Sequence, residues 1–284
     1  MKDDSFGRFG ARLLRREGTE RLIDLPVPAI RERFKSAGLL VLRGFEGGAL
    51  PFKAFADRFT RRYLRDLGGS KTIDAAGNYI QSLVPAGNAQ ELHCENGRGP
   101  NPPDLLWFHC VTPARDGGET TFADGVAIWE ALGELTQRLF LERRVKYTET
   151  LPPEQWRAGL KLFFLDGIHH LQMGGTTFRF LDNGQMEMAF VTPAVHPTRW
   201  GGVPAFTNSI TGPYPGTATF DDDEAIPLSA MADIRAVHER VIEELAWQSG
   251  DILMIDNSRF MHGRRAFTDQ GRAHLTLMGT ANFD

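Results

Sequence analysis

Cysteine is scarce here: 284 residues contain only Cys94 and Cys110. Two thiols cannot staple a fold of this size, so a packed core must hold it, and both read as small buried hydrophobes. Long apolar runs are missing too. No stretch approaches the roughly 18 apolar residues of a membrane span, so no membrane partner is expected. The opening MKDDSFGRFGARLLRREGTE is charged and lacks the apolar centre of a secretory signal, so the expected location is cytoplasmic. An excess of positive charge is also lacking. Lys and Arg number 32 against 36 Asp and Glu, a net charge of −4, and no nucleic-acid partner is expected. The basic run Arg58–Arg65, RFTRRYLR, is followed by Asp66 and reads as a solvated helix face. G-x-S-x-G, a Walker loop and a G-x-G-x-x-G between strand and helix are absent, which removes the commonest hydrolase, NTPase and dinucleotide readings. Repeats and low-complexity tracts are lacking, and residues 1–284 are expected to form one domain.

What is present is a 42% hydrophobic chain with strand-like segments interrupted by a few helices. Residues 27–37 read as a helix with proline near its start and Gly38 as its stop. LLVLRGF (39–45) reads as a buried strand. In PFKAFADRFTRRYL (51–64), Phe52, Phe55 and Phe59 recur at helical spacing and read as core. LLWFHCVTP, TTFAD, RRVKYTETL, TTFRFLD, MEMAFV, ILMID and AHLTLMGTA read as strands. GVAIWEALGELTQRLF and residues 227–247 read as helices. The pattern predicts a mostly-β sandwich or barrel with helices packed outside.

Chemistry concentrates in two stretches, ELHCENGRGP (91–100) and SRFMHGRRAF (258–267). On a strand, residues two apart share a face, so His93 and Glu95 would project together while Cys94 points away. A third ligand from another strand, His262, would complete a two-histidine, one-carboxylate triangle with positions left open. That donor set suits non-haem iron(II). His-x-Glu alone has little weight, because chance supplies one in a chain of this composition. A surface pair therefore stands as the bland reading. Zinc at His93, Cys94, His109 and Cys110 is a further alternative, weakened because adjacent strand residues face opposite ways.

The order of HCEN, GGETTFADG and GDILMIDNSRFMHGR, with Arg272 entering the last strand, resembles the taurine dioxygenase and clavaminate synthase-like family of iron(II)- and 2-oxoglutarate-dependent oxygenases. The resemblance spans nearly the whole chain. It implies a double-stranded β-helix, or jelly roll, with flanking helices. It implies that His93, Glu95 and His262 hold iron(II), that Thr120 and Arg272 bind 2-oxoglutarate, and that O2 is consumed. Arg264 and Arg265 compete for the Arg272 role, and His274 is a further candidate lining residue. An intact Glu95 argues against the related halogenases.

The expected partner is a small polar molecule, an amino acid or natural-product intermediate, hydroxylated with release of succinate and CO2. Sulfonate or aryloxyalkanoate catabolism is the rival within the family. A zinc hydrolase or a non-catalytic ligand-binding module is the rival outside it. Gln81, Asn96, Arg98 and Asn208 are the candidate substrate contacts. Thr211–Pro227, rich in Gly, Pro and Asp, reads as a loop suited to a lid. His169 and His170 read as loop histidines. The composition is compatible with a homo-oligomer.

Overall fold

A computed structural model of the chain describes residues 1–64, 71–72, 81–82, 87–160, 170–173, 175–212 and 216–284. Eight strands build its centre: β1 (Leu39–Arg43), β2 (Gln90–His93), β3 (Leu105–Thr112), β4 (Thr120–Asp124), β5 (Glu243–Leu245), β6 (Ile252–Asp256), β7 (Phe260–Arg264) and β8 (Ala273–Ala281). They form two sheets. One runs β1-β6-β3-β8; the other runs β5-β4-β7-β2, with antiparallel pairing throughout. The first sheet is extended by Ala11–Arg15 and Lys2–Phe6 beyond β1, and by Gln81–Ser82, Lys71–Thr72 and Thr60–Leu64 beside β8.

The apolar runs are continuous because the larger sheet is covered on both faces. Leu39, Val41, Leu106, Phe108, Leu253, Ile255 and Met278 point inward, against Phe122, Leu245 and Phe260 of the smaller sheet. Their neighbours Leu40, Leu42, Leu105, Trp107, Met254 and Leu277 point outward, against helices α1 (Val27–Ala37) and α2 (Ala49–Ala56). Period-two alternation thus assigns each side chain to one of two cores. Helices α3 (Gly125–Ala131), α4 (Glu134–Glu142) and α6 (Leu228–Val241) cover the far face of the smaller sheet; α5 is Pro153–Leu160. A third sheet, 170–173, Thr176–Phe180, Met186–Thr192, Val145–Leu151 and Thr217–Phe220 in spatial order, sends Val145, Tyr147 and Phe220 into that same core.

Gly38 ends α1 in the left-handed conformation (φ 72°), as its position predicted. Other expectations are corrected. Helix α2 stops at Ala56, and Thr60–Leu64 pairs with β8, so the basic run is partly edge strand rather than a helix face. GVAIWEALGELTQRLF is two helices. Leu132 and Gly133 are extended, and the Gly133 amide donates to Asp233 at 3.0 Å, starting α4 afresh. The 227–247 helix ends at Val241 because Glu243–Leu245 is recruited to pair with β4. Within Thr211–Pro227, Thr217–Phe220 is a strand with Phe220 fully buried; residues 213–215 lie outside the described residues.

Candidate active site

Antiparallel register carries the two histidines together. His262 in β7 sits opposite His93, the last residue of β2. Their ring centroids are 4.4 Å apart. Glu95 lies just past the strand end, in a turn, and not on the strand as the sequence predicted. The turn still delivers its carboxylate, whose Oε2 is 3.6 Å from His262 Nε2. One ligand atom from each of His93, Glu95 and His262 lies within 4.8 Å of the others.

The protonation states suit metal binding. His93 Nδ1–H donates to the Glu91 carbonyl at 2.8 Å, which leaves Nε2 unprotonated and fixes the ring. Burial, helped by the neighbouring His262, pushes the His93 pKa down to about 4, so the ring is neutral near pH 7. Burial pushes the Glu95 carboxyl up, but the His262 hydrogen bond and the two histidines outweigh it and leave it below its usual range. His262 Nδ1 is buried without a hydrogen-bond partner among the described residues. Two imidazoles and a carboxylate at one buried point therefore fit a divalent iron ion.

A second feature lies deeper between the sheets. Residues two apart share a face, so Arg264 follows His262 inward and stands opposite Thr120 of β4. Arg272, 6% exposed, reaches the same region and packs on Phe267, 5.1 Å from the ring centroid; Arg264 lies 5.0 Å from the same ring. Arg272 Nε is buried without a hydrogen-bond partner, and no carboxylate pairs with Arg272 among the described residues. Half-buried Arg43 and Arg259, by contrast, pair with buried Asp251 and Asp124. Burial, with Arg264 adding repulsion, pulls the Arg272 pKa down to about 10. A buried cation without a counter-ion is costly unless a ligand supplies the charge, which fits a carboxylate of 2-oxoglutarate.

Thr120 Oγ1 accepts from Trp247 Nε1 at 3.0 Å, so its own hydroxyl proton is available to another acceptor. His274 faces the same interior, edge-on to Trp247 at 4.8 Å, with both ring nitrogens lacking hydrogen-bond partners among the described residues. Arg264 is the last residue of β7, where it donates to the Asn88 carbonyl. Arg265 points out and pairs with Glu244. Sequence reasoning missed Trp247 and Phe267. Their signal was weak, since each is one aromatic in a segment read as helix or turn.

The other candidates separate. Asn208 is buried; its amide donates to the Ala194 carbonyl and accepts from Ile210 N–H, and its own carbonyl accepts from Cys94 N–H. Asn96 takes a positive φ of 53° in the Glu95 turn, and its amide contacts Met278 Sδ at 3.7 Å. Arg98 lies over Tyr147 and donates to the Thr148 and Thr217 carbonyls. The Gln81 backbone joins a strand beside β8, but its side chain, like those of His169 and His170, lies outside the described residues. The zinc alternative does not assemble. His109 faces the outer core, stacks on Phe52 and accepts from Gly48 N–H, while Cys94 and Cys110 are buried free thiols raised by burial to about 11 and about 12.

A jelly-roll sandwich with this donor set has the build of a non-haem iron oxygenase. Residues 5–278 match the taurine catabolism dioxygenase TauD, TfdA family, and the chain belongs to that family. It is an iron(II)- and 2-oxoglutarate-dependent oxygenase with the double-stranded β-helix fold. A clavaminate synthase-like protein of Arabidopsis thaliana is 25% identical over 273 residues, covering 85% of this chain and 81% of that protein. The tyrosine isonitrile desaturase of Erwinia amylovora is 24% identical over 262 residues, covering 89% and 80%. The crystal structure of PvcB from Pseudomonas aeruginosa superposes with a TM-score of 0.65 at 20% identity, covering 96% of this chain and 86% of that one. No helix of the described residues is long and apolar enough to cross a membrane.

Proposed function

We propose that residues 1–284 form one oxygenase domain in which His93, Glu95 and His262 hold iron(II), while Arg272 and Thr120 hold the distal carboxylate of 2-oxoglutarate. The observation that carries this is the meeting, inside one sandwich, of three ligand atoms within 4.8 Å and a buried arginine that has no carboxylate partner among the described residues. Bound iron and 2-oxoglutarate supply the activation of O2, with succinate and CO2 as co-products. The chain's own residues orient and insulate. His93 is locked by the Glu91 carbonyl. Arg272 offers a planar fork that stays charged at neutral pH and matches a carboxylate. Trp247 turns the Thr120 hydroxyl so that it donates to the same group. Phe108, 5.6 Å from the His262 ring, helps keep water from the ligands.

The substrate is a small polar molecule, an amino acid or natural-product intermediate, and the outcome is hydroxylation. Gln81, Asn96, Arg98 and Asn208 are the proposed contacts; Asn96 and Arg98 stand in the turn that carries Glu95, and the Asn208 carbonyl accepts from Cys94 N–H beside it. A second reading, desaturation of an aromatic amino-acid derivative, is favoured by the relatives named tyrosine isonitrile desaturases. The test is succinate release from the iron-loaded protein across a panel of amino acids and N-substituted aromatic amino acids. Mass spectrometry then separates gain of one oxygen from loss of two hydrogens. Failure of 2-oxoglutarate to support any turnover, with zinc bound in place of iron, would overturn the assignment.

A further inference from the structure

The segment GDILMIDNSRFMHGR contains a residue whose placement the iron and co-substrate roles leave unexplained. Asn257 follows β6 directly, and its side chain is 3% exposed. Its amide closes around the backbone of Glu95. Glu95 N–H donates to Asn257 Oδ1 at 2.8 Å, and Asn257 Nδ2 donates back to the Glu95 carbonyl at 3.0 Å. The second Nδ2 proton goes to the Pro103 carbonyl at 3.1 Å, and Asn257 N–H donates to the Asp104 carbonyl. The Glu95 peptide groups thus meet the same donor and acceptor they would meet in a strand partner.

That substitution matters because Glu95 has left the sheet. His93 and His262 are held by ladder pairing, whereas the carboxylate ligand stands in a turn two residues beyond the end of β2. A turn residue holds its side chain only as firmly as its backbone is fixed. We propose that Asn257 is a positioning residue for the metal centre, clamping Glu95 so that its carboxylate faces the two imidazoles. The proposal rests on the assignment of Glu95 as a ligand. It also explains how the link from β6 to β7 bears on two of the three ligands: β7 carries His262, and Asn257, at the start of the link that crosses from one sheet to the other, grips Glu95.

The experiment is Co(II) titration of metal-free full-length protein, followed by visible absorption, in a double-mutant cycle of Asn257→Ala and Glu95→Ala. Asn257→Asp, which keeps size and the acceptor but loses both Nδ2 donors, is the second variant. Partners that orient ligands typically cost about 10–100-fold in metal affinity when removed, and that loss is expected for Asn257→Ala and Asn257→Asp with Glu95 intact. In the Glu95→Ala background, Asn257→Ala should change the affinity by less than about 2-fold, because a clamp without its ligand has nothing to position. Asp251→Asn, at the other end of β6 and buried against Arg43, is the control. It should lower the melting temperature and leave Co(II) affinity and spectrum unchanged. If Glu95→Ala itself leaves affinity unchanged, the ligand assignment fails and the clamp falls with it. If Glu95→Ala weakens binding but the Asn257 variants do not, or weaken it equally in both backgrounds, the clamp alone is refuted.

Discussion

Replacing Arg272 by alanine tests the co-substrate site most sharply. The guanidinium is buried between the sheets with no carboxylate partner among the described residues, and burial pulls its pKa down to about 10. At about 1.4 kcal/mol per unit, the pocket disfavours the charge by roughly 3 kcal/mol, which an incoming carboxylate can relieve. This agrees with the roughly 2–5 kcal/mol lost when one member of a buried charge pair is removed. Arg272→Ala should therefore weaken 2-oxoglutarate binding by about 100-fold, measured as the dissociation constant under anaerobic calorimetry and as apparent KM in succinate release. Iron stoichiometry should not change, because Arg272 touches none of the three ligands. Arg264→Ala should weaken binding less, since Arg264 already donates to the Asn88 carbonyl. Arg265→Ala should do nothing, its charge being spent on Glu244 at the surface. An unchanged KM in Arg272→Ala together with a large rise in Arg264→Ala would refute the assignment of the anion partner, while leaving the oxygenase class intact.

Three further outcomes are expected. His93→Ala and His262→Ala should abolish turnover and weaken iron binding, whereas Cys94→Ser, altering a buried neutral thiol beside Ser209, should leave iron content intact by metal analysis. Thr120→Val should raise the KM for 2-oxoglutarate only modestly, the effect of one neutral hydrogen bond of about 0.5–1.5 kcal/mol. A rise matching that of Arg272→Ala would contradict this. Asp256 is buried, and burial pushes its pKa up to about 6 against the Ser258 hydrogen bonds. A carboxyl with a raised folded pKa binds more protons folded than unfolded, so its contribution to stability falls as pH rises from about 4 to about 6. Asp256→Asn should therefore raise the melting temperature at pH 7 relative to wild type and not at pH 4. Equal shifts at both pH values would contradict it.

The sequence by itself determined most of the strand inventory. The runs around Leu39, Leu105 and Ile252 are apolar at consecutive positions, and only strands covered on both faces need that. It also determined the donor types, since His93, Glu95 and His262 are chemically recognisable wherever they fold. Local pattern failed where a distant partner altered a segment's course. Asp233 caps a new helix at Gly133, β4 recruits Glu243–Leu245, and β8 pulls Thr60–Leu64 out of the helical periodicity of its phenylalanines. The site depended on tertiary structure in the same way. Periodicity placed Glu95 on a strand, but β2 ends at His93, and the carboxylate reaches the histidines from a turn gripped by Asn257. Which arginine lacks a counter-ion was equally invisible, because Arg264, Arg265 and Arg272 differ only in what surrounds them. Burial and pairing between residues far apart in the chain are properties of the assembled sandwich, and they decide which of these similar side chains can do chemistry.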